Sequence, residues 1–182
     1  MWLFIEKRAD FHDRRPKKML HIAPEPSLKN KFQKMQGLDY VSGDLYDSKA
    51  MVKLDICNLH YPDDAFDIII CSHVLEHVDD DRKAMRELSR VLKHTGWAMF
   101  LIPITADATF EDQSITDPVE RERVFGQFDH VRSYGPDFVQ RLEDNGFIVH
   151  VTKTDDLVEP EEAERLGLLW GEMIFFCQKA IK

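Results

Sequence analysis

Residues 66–78, Phe66-Asp67-Ile68-Ile69-Ile70-Cys71-Ser72-His73-Val74-Leu75-Glu76-His77-Val78, decide the fold. The first six form a nearly continuous apolar, β-branched run, short for a helix and typical of a strand covered on both faces. Strands of that kind belong to parallel sheets with helices packed on either side. The run stops at Ser72 and His73, and in open α/β sheets the carboxyl ends of the strands are where ligands bind.

On the carboxyl side, residues 80–94 form the strongest helical pattern, with Met85, Leu88, Val91 and Leu92 on one face and Gly96 as the expected stop. A second buried strand runs from Trp97 to Ile104. Phe138 and Leu142 mark a helix ending at Gly146, followed by strands at Phe147–Val151 and Met173–Cys177. On the amino side, Met19–Ala23 reads as a strand stopped by Pro24-Glu25-Pro26. Ser27 is the expected cap of a helix carrying Leu28, Phe32 and Met35, stopped by Gly37. Asp39–Gly43 is a strand ending at Asp44, and Met51–Ile56 alternates like another. Seven strands interleaved with helices predict a single α/β domain over residues 1–182, with a doubly wound, mostly parallel sheet. Residues 1–18 read as an arm or one short helix, and Trp97 and Trp170 as core. The acidic run Asp155–Glu164 reads as a solvated connection and helix. Residues 105–134 hold one short helix after Asp117-Pro118, and a connection of that length is expected to be a lid or substrate loop.

Composition narrows the partners. The 182 residues are 43% hydrophobic and 31% charged, enough for a core and without a bias to disorder. The net charge of −9 argues against nucleic-acid or anionic-membrane partners. Cys57, Cys71 and Cys177 are odd in number and set in apolar runs, as for thiols in a reducing cytoplasm. The opening Met1–Ile5 is too short for an export signal, and the longest apolar stretch is far below a membrane span, so a cytoplasmic location is expected.

Reading the residue after each strand gathers carboxylates at one rim: Glu25 after the first strand, Asp44 after the second and Asp55 at the end of the third. Neither G-x-G-x-x-G nor a GKS/T phosphate loop occurs, which disfavours a pyrophosphate and suits a cationic ligand with sugar hydroxyls. Here the sequence resembles the class I S-adenosylmethionine-dependent methyltransferases, in particular small members with a V-L-E-H-V segment. The resemblance rests on Asp55-Ile56, Pro62–Asp67, Ser72–Val78, Leu88–Lys93 and Gly96, and spans about residues 19–104. It implies a Rossmann-like sheet with a reversed last strand, S-adenosylmethionine as cofactor (S-adenosylhomocysteine as product), and in-line methyl transfer.

The resemblance also implies roles for residues. Asp44 would hold the ribose hydroxyls, beside Leu45, and Asp55 the adenine amino group, with Ile56 against the ring. Ser72 and His73 would lie beside the methionine end. The family's glycine-rich first loop is replaced by Ala23-Pro24-Glu25-Pro26, and His21 stands where an acid is usual. Glu25 is the candidate partner of the cofactor's ammonium group. Phe125–Gly135 matches a segment F-G-Q-x-D-H-V-R-x-Y-G of an H-[IV]-A-P-E subgroup.

Competing readings stand beside these. His73-Val74-Leu75-Glu76-His77 spells H-x-x-E-H, an inverted zinc-protease motif. It follows a buried strand, and the surrounding pieces fit a methyltransferase without metal, so no metal site is expected. Asp44 and Asp55 also suit plain strand-end caps. His130, Arg132 and Tyr134 alternate, so an extended segment points them the same way, either as a substrate clamp or as a latch pairing Arg132 with an acid. His130, His77 and His73 are the candidate bases. A small metabolite or saccharide-type acceptor is expected. The alternative is a catalytically inactive cofactor- or partner-binding module of the same fold.

Overall fold

The computed structural model describes residues 1–7, 11, 13, 15–168 and 171–181, so Trp170 lies outside the described residues. The central run forms β4 of a seven-stranded sheet. In chain order the sheet's strands are β1 (Lys17–Ile22), β2 (Leu38–Asp44), β3 (Val52–Lys53), β4 (Phe66–Ser72), β5 (Leu92–Leu101), β8 (Phe147–Lys153) and β9 (Met173–Lys179). Their spatial order is β3-β2-β1-β4-β5-β9-β8. All pairs from β3 to β5 are parallel, and β9 runs antiparallel to both β5 and β8. The reversed last strand is thus present.

Alternation along β4 divides the core. Ile68 and Ile70 join Met19, Met99 and Leu101 against α1 (Trp2–Glu6) and α2 (Pro26–Phe32), through Phe4, Ile5, Leu28 and Phe32. Ile69 and Cys71 join Leu20, Ala98 and Phe100 against α3 (Asp81–Val91) and α5 (Phe138–Glu143). Burial on both faces explains why β4 and β5 lack a polar alternation. Trp97 is core as expected. The amino-terminal arm supplies α1, and Lys17 and Lys18 already belong to β1.

Several boundaries differ from the sequence reading. α3 ends at Val91, and β5 starts at the next residue. Gly96 is no helix stop: it lies in the irregular part of β5, where register slips between Phe66 and Ile68. A Cβ there would come 2.6 Å from the Asp67 carbonyl oxygen, so the two strands approach only because position 96 lacks a side chain. Ser27 does not cap α2; Glu25 is the cap residue and Pro26 opens the helix, where its fixed φ and missing N–H are suited. β3 is short because the chain turns at Asp55, whose Oδ1 accepts from the Cys57 N–H at 2.8 Å.

The 105–134 connection has its own local order: β6 (Phe110–Glu111), α4 (Pro118–Phe125) and β7 (Arg132–Ser133), with β6 and β7 paired antiparallel. Asp117 caps α4 through the Val119 and Glu120 N–H groups, and Gly126 ends it in the left-handed conformation at φ 87°. α6 (Pro160–Leu166) fills the acidic stretch before β9. Cys71 and Cys177 are buried and Cys57 partly so, all as free thiols. Among the described residues no helix is long and apolar enough to cross a membrane.

Candidate active site

Strand order reverses between β1 and β4, the place where ligands bind beyond the strand ends of open α/β sheets. Two non-glycine residues with positive φ flank it: Ala23, after β1, at 44°, and His73, after β4, at 51°. Such backbone costs roughly 1–2 kcal/mol for an L-residue and tends to persist at functional sites. The Ala23 N–H donates to the Gly43 carbonyl and the His73 N–H to the Leu101 carbonyl, so strand-end bonds hold both turns. Ala23 therefore takes the backbone conformation for which glycine is favoured, in a loop that has no glycine.

The first loop is braced from below. His21 is fully buried, with Nδ1 3.0 Å from the Tyr40 hydroxyl and Nε2 2.9 Å from Glu25 Oε2. Burial pushes the Glu25 carboxyl up, but hydrogen bonds from His21, its own backbone and Ser72 outweigh it and hold the group below the usual carboxylate range. Burial likewise drives the Tyr40 phenol up to about 12. His21, where the family's acid is usual, thus reaches an acid four residues on. Ser72 is buried beside it, and Pro24 is half-buried on the rim.

Asp44 and Asp55 are side by side at the sheet edge, since β2 pairs with β3 and the Leu54 N–H donates to the Asp44 carbonyl. Asp44 Oδ1 accepts from the Tyr46 and Asp47 N–H groups, both at 2.7 Å. Each aspartate thus spends Oδ1 on its own turn, and Oδ2 of each has no hydrogen-bond partner among the described residues. Those are acceptors of the kind that ribose hydroxyls and an exocyclic amine require. Leu45 is 38% exposed at this rim, whereas Ile56 is 5% exposed and turned into the core beside Leu54 and Leu59.

Beyond β4 the chain makes a short 3-10 turn, Leu75–His77. The α-helix that would bring His73 and His77 to one metal in a zinc protease is absent. His73 Nδ1 instead lies 3.4 Å from Glu76 Oε1, and this hydrogen bond holds the imidazole above its ordinary range despite partial burial. Glu76 is 1% exposed, and its Oε2 has no hydrogen-bond partner among the described residues. A cavity of about 120 Å³ opens here, lined by Glu76, Pro103, Thr105, Phe125, Gly126 and His130, with Arg132–Tyr134 along its base.

Arg132 and Tyr134 form a latch. Arg132 is 3% exposed; its guanidinium donates to the carbonyls of Leu75, Val78 and Asp79 and to Glu111. Those bonds engage the guanidinium within the protein, while Arg132 and Tyr134 also line the cavity. The Tyr134 hydroxyl donates to Asp81 at 2.5 Å, and Arg141 bridges Asp81 and Glu111. His130, the third alternating residue, does face the cavity. Sequence reading met Glu76 only as the middle of H-x-x-E-H and missed its burial. The signal was an acid inside an otherwise apolar V-L-E-H-V segment.

A parallel sheet in this order, with a reversed edge hairpin, is the fold of solved S-adenosylmethionine-dependent methyltransferases, among them one from Mesorhizobium loti. Residues 17–100 match the family described as a methyltransferase domain. The uncharacterized methyltransferase YcgJ of Bacillus subtilis is 54% identical over 39 residues, 21% of this chain and 15% of that protein. The YcgJ crystal structure superposes with a TM-score of 0.59 at 18% identity, covering 100% of this chain and 98% of that one. Ajmaline N-methyltransferase of Rauvolfia serpentina is 30% identical over 105 residues, 57% of this chain and 34% of that protein. A Burkholderia thailandensis 1,6-didemethyltoxoflavin-N1-methyltransferase, solved with its substrate and S-adenosylhomocysteine, gives a TM-score of 0.61 at 12% identity over 93% of this chain and 74% of that one. The sequence matches span about a third or less of the curated relatives' length.

Proposed function

We propose that this chain transfers a methyl group from S-adenosylmethionine to a small-molecule acceptor seated between Glu76 and Phe125. The observation that carries the reading is the pair of aspartates at the β2 and β3 ends, each with one carboxylate oxygen unengaged. In this reading Asp44 accepts from the ribose hydroxyls, Asp55 from the adenine amine, and Leu45 covers the ring. The Ala23-Pro24-Glu25 loop, with Ser72, takes the methionine end, and Glu25 carries the charge opposite the ammonium group.

When bound, S-adenosylmethionine supplies an activated methyl group on a sulfonium. The chain then has to align the acceptor and exclude water, and orientation of this kind contributes about 7–11 kcal/mol. His73 stands at the β4 end with its imidazole partly exposed and Nδ1 against buried Glu76, so Nε2 can take a proton from the acceptor. His130 lines the acceptor cavity, and the His77 ring packs edge-on against it at 4.7 Å. In this reading the cavity of about 120 Å³ receives the reacting end of the acceptor. The 105–134 segment is then the lid and the seat of substrate choice, pinned by Arg132 and Tyr134.

Calorimetry with S-adenosylmethionine and S-adenosylhomocysteine tests the reading. Asp44→Ala and Asp55→Ala should each weaken binding about 10- to 150-fold, as for loss of a charge-assisted hydrogen bond. Absence of binding to folded wild-type protein would refute it.

A further inference from the structure

Three metal-ligating side chains meet where the β4 loop faces the returning 130–134 segment. A ligand atom from each of Glu76, His77 and His130 lies within 4.8 Å of the other two. Around a cation with bonds of about 2.1 Å, neighbouring ligand atoms sit roughly 3–4 Å apart, within a side-chain rotation of this spacing.

Each ligand is held from behind. His77 Nδ1 is 3.2 Å from Asp129 Oδ2, and His130 Nδ1 is 3.3 Å from the Phe125 carbonyl. A carboxylate or carbonyl on Nδ1 fixes the tautomer with its lone pair on Nε2, the outer-shell support that metal-bound histidines ordinarily have. Glu76 Oε1 faces His73, while the buried Oε2 has no hydrogen-bond partner among the described residues. An unsatisfied buried oxygen of this kind is costly, and a cation would satisfy it. The segments are fixed to each other by the Val131 N–H donating to the Glu76 carbonyl and by the Arg132 bonds to the same loop. The constellation therefore exists before any ligand arrives.

We infer that Glu76, His77 and His130 form a binding site for a divalent transition-metal ion, with open coordination positions toward the acceptor cavity. Two imidazoles and one carboxylate favour zinc, iron(II), cobalt(II) or nickel(II) over magnesium or calcium, which take oxygen ligands. Since Glu76 and His130 also line the cavity, an oxygen or nitrogen of the acceptor would complete the coordination and be polarised there. That last role rests on the proposed methyl transfer; binding of the metal does not. H-x-x-E-H conceals the site, because its second histidine ligand comes from residue 130 and not from His73.

Chelator-treated, tag-free protein should be titrated by calorimetry with zinc, nickel and magnesium chlorides in turn. One equivalent of zinc or nickel should bind, and magnesium should not compete. Glu76→Gln and His130→Ala should each weaken zinc binding at least 10-fold, Asp129→Ala about 10-fold through His77, and the exposed His94→Ala not at all. Cobalt(II) should give a visible spectrum of a nitrogen- and oxygen-ligated site that Glu76→Gln abolishes. Thermal melts of each variant establish that it is folded. Lack of stoichiometric binding to folded wild type, or binding unchanged in both Glu76→Gln and His130→Ala, would overturn the inference. S-adenosylhomocysteine binding to the same samples reports separately on the cofactor site.

Discussion

Asp81→Ala should be among the most damaging single substitutions in this protein. Asp81 is 1% exposed and opens α3, where a carboxylate also favours the helix dipole. It accepts from the Tyr134 hydroxyl at 2.5 Å and from Arg141 at 2.6 Å, and lies 3.7 Å from Arg132. Burial works against the charge on Arg141, and the carboxylates of Asp81 and Glu111 outweigh it, raising the guanidinium further. Without Asp81 two buried guanidiniums share Glu111, whose side chain is 41% exposed, and the buried phenol loses its acceptor. Removing one partner of a buried pair costs about 3–5 kcal/mol. At about 2–4 °C per kcal/mol for a domain this size, the melting midpoint should fall by roughly 6–20 °C. Urea unfolding followed by circular dichroism gives the free energy directly. Tyr134→Phe, which removes only the hydroxyl, should cost about 1–2 kcal/mol. An Asp81→Ala loss below about 1 kcal/mol would show that the network is not a stabilising unit and refute the latch.

Two further outcomes are specific. Because the Glu25 pKa is depressed in the fold, its contribution is present above the unfolded value of about 4.3 and lost as pH falls through the folded value. Glu25→Gln should therefore destabilise at pH 7 and match wild type in strong acid; an equal deficit at both pH values would contradict the His21–Glu25 pairing. Gly96→Ala should cost about 1–3 kcal/mol, because the new methyl meets the Asp67 carbonyl and one strand must shift. An unchanged melting midpoint would mean that β5 relaxes there freely.

How much the sequence revealed follows the range of the interactions. Ile68–Cys71 announced a buried strand because burial on both faces is written in consecutive residues. Asp44 and Asp55 were legible because strand ends are local and sheet topology puts them on one rim. The α3–β5 junction was misread because Gly96 has the composition of a helix stop, while its actual partner is the Asp67 carbonyl of the neighbouring strand. Arg132 stayed ambiguous for the same reason: its backbone acceptors lie more than fifty positions earlier in the chain. Ile56 shared the rim's position with Asp55 but not its direction, since alternation turned it into the core. Glu76 looked like one letter of a motif until burial and His130 gave it a setting.

Arg132 has a consequence for how such a site diversifies. It grips the β4 loop mainly by backbone oxygens, those of Leu75, Val78 and Asp79, and backbone oxygens are the same whatever residue bears them. The side chains at 78 and 79 can therefore change without loosening the anchor. A combinatorial library randomised at Asp79 and the exposed positions of 112–128 would explore new acceptors on an unchanged frame.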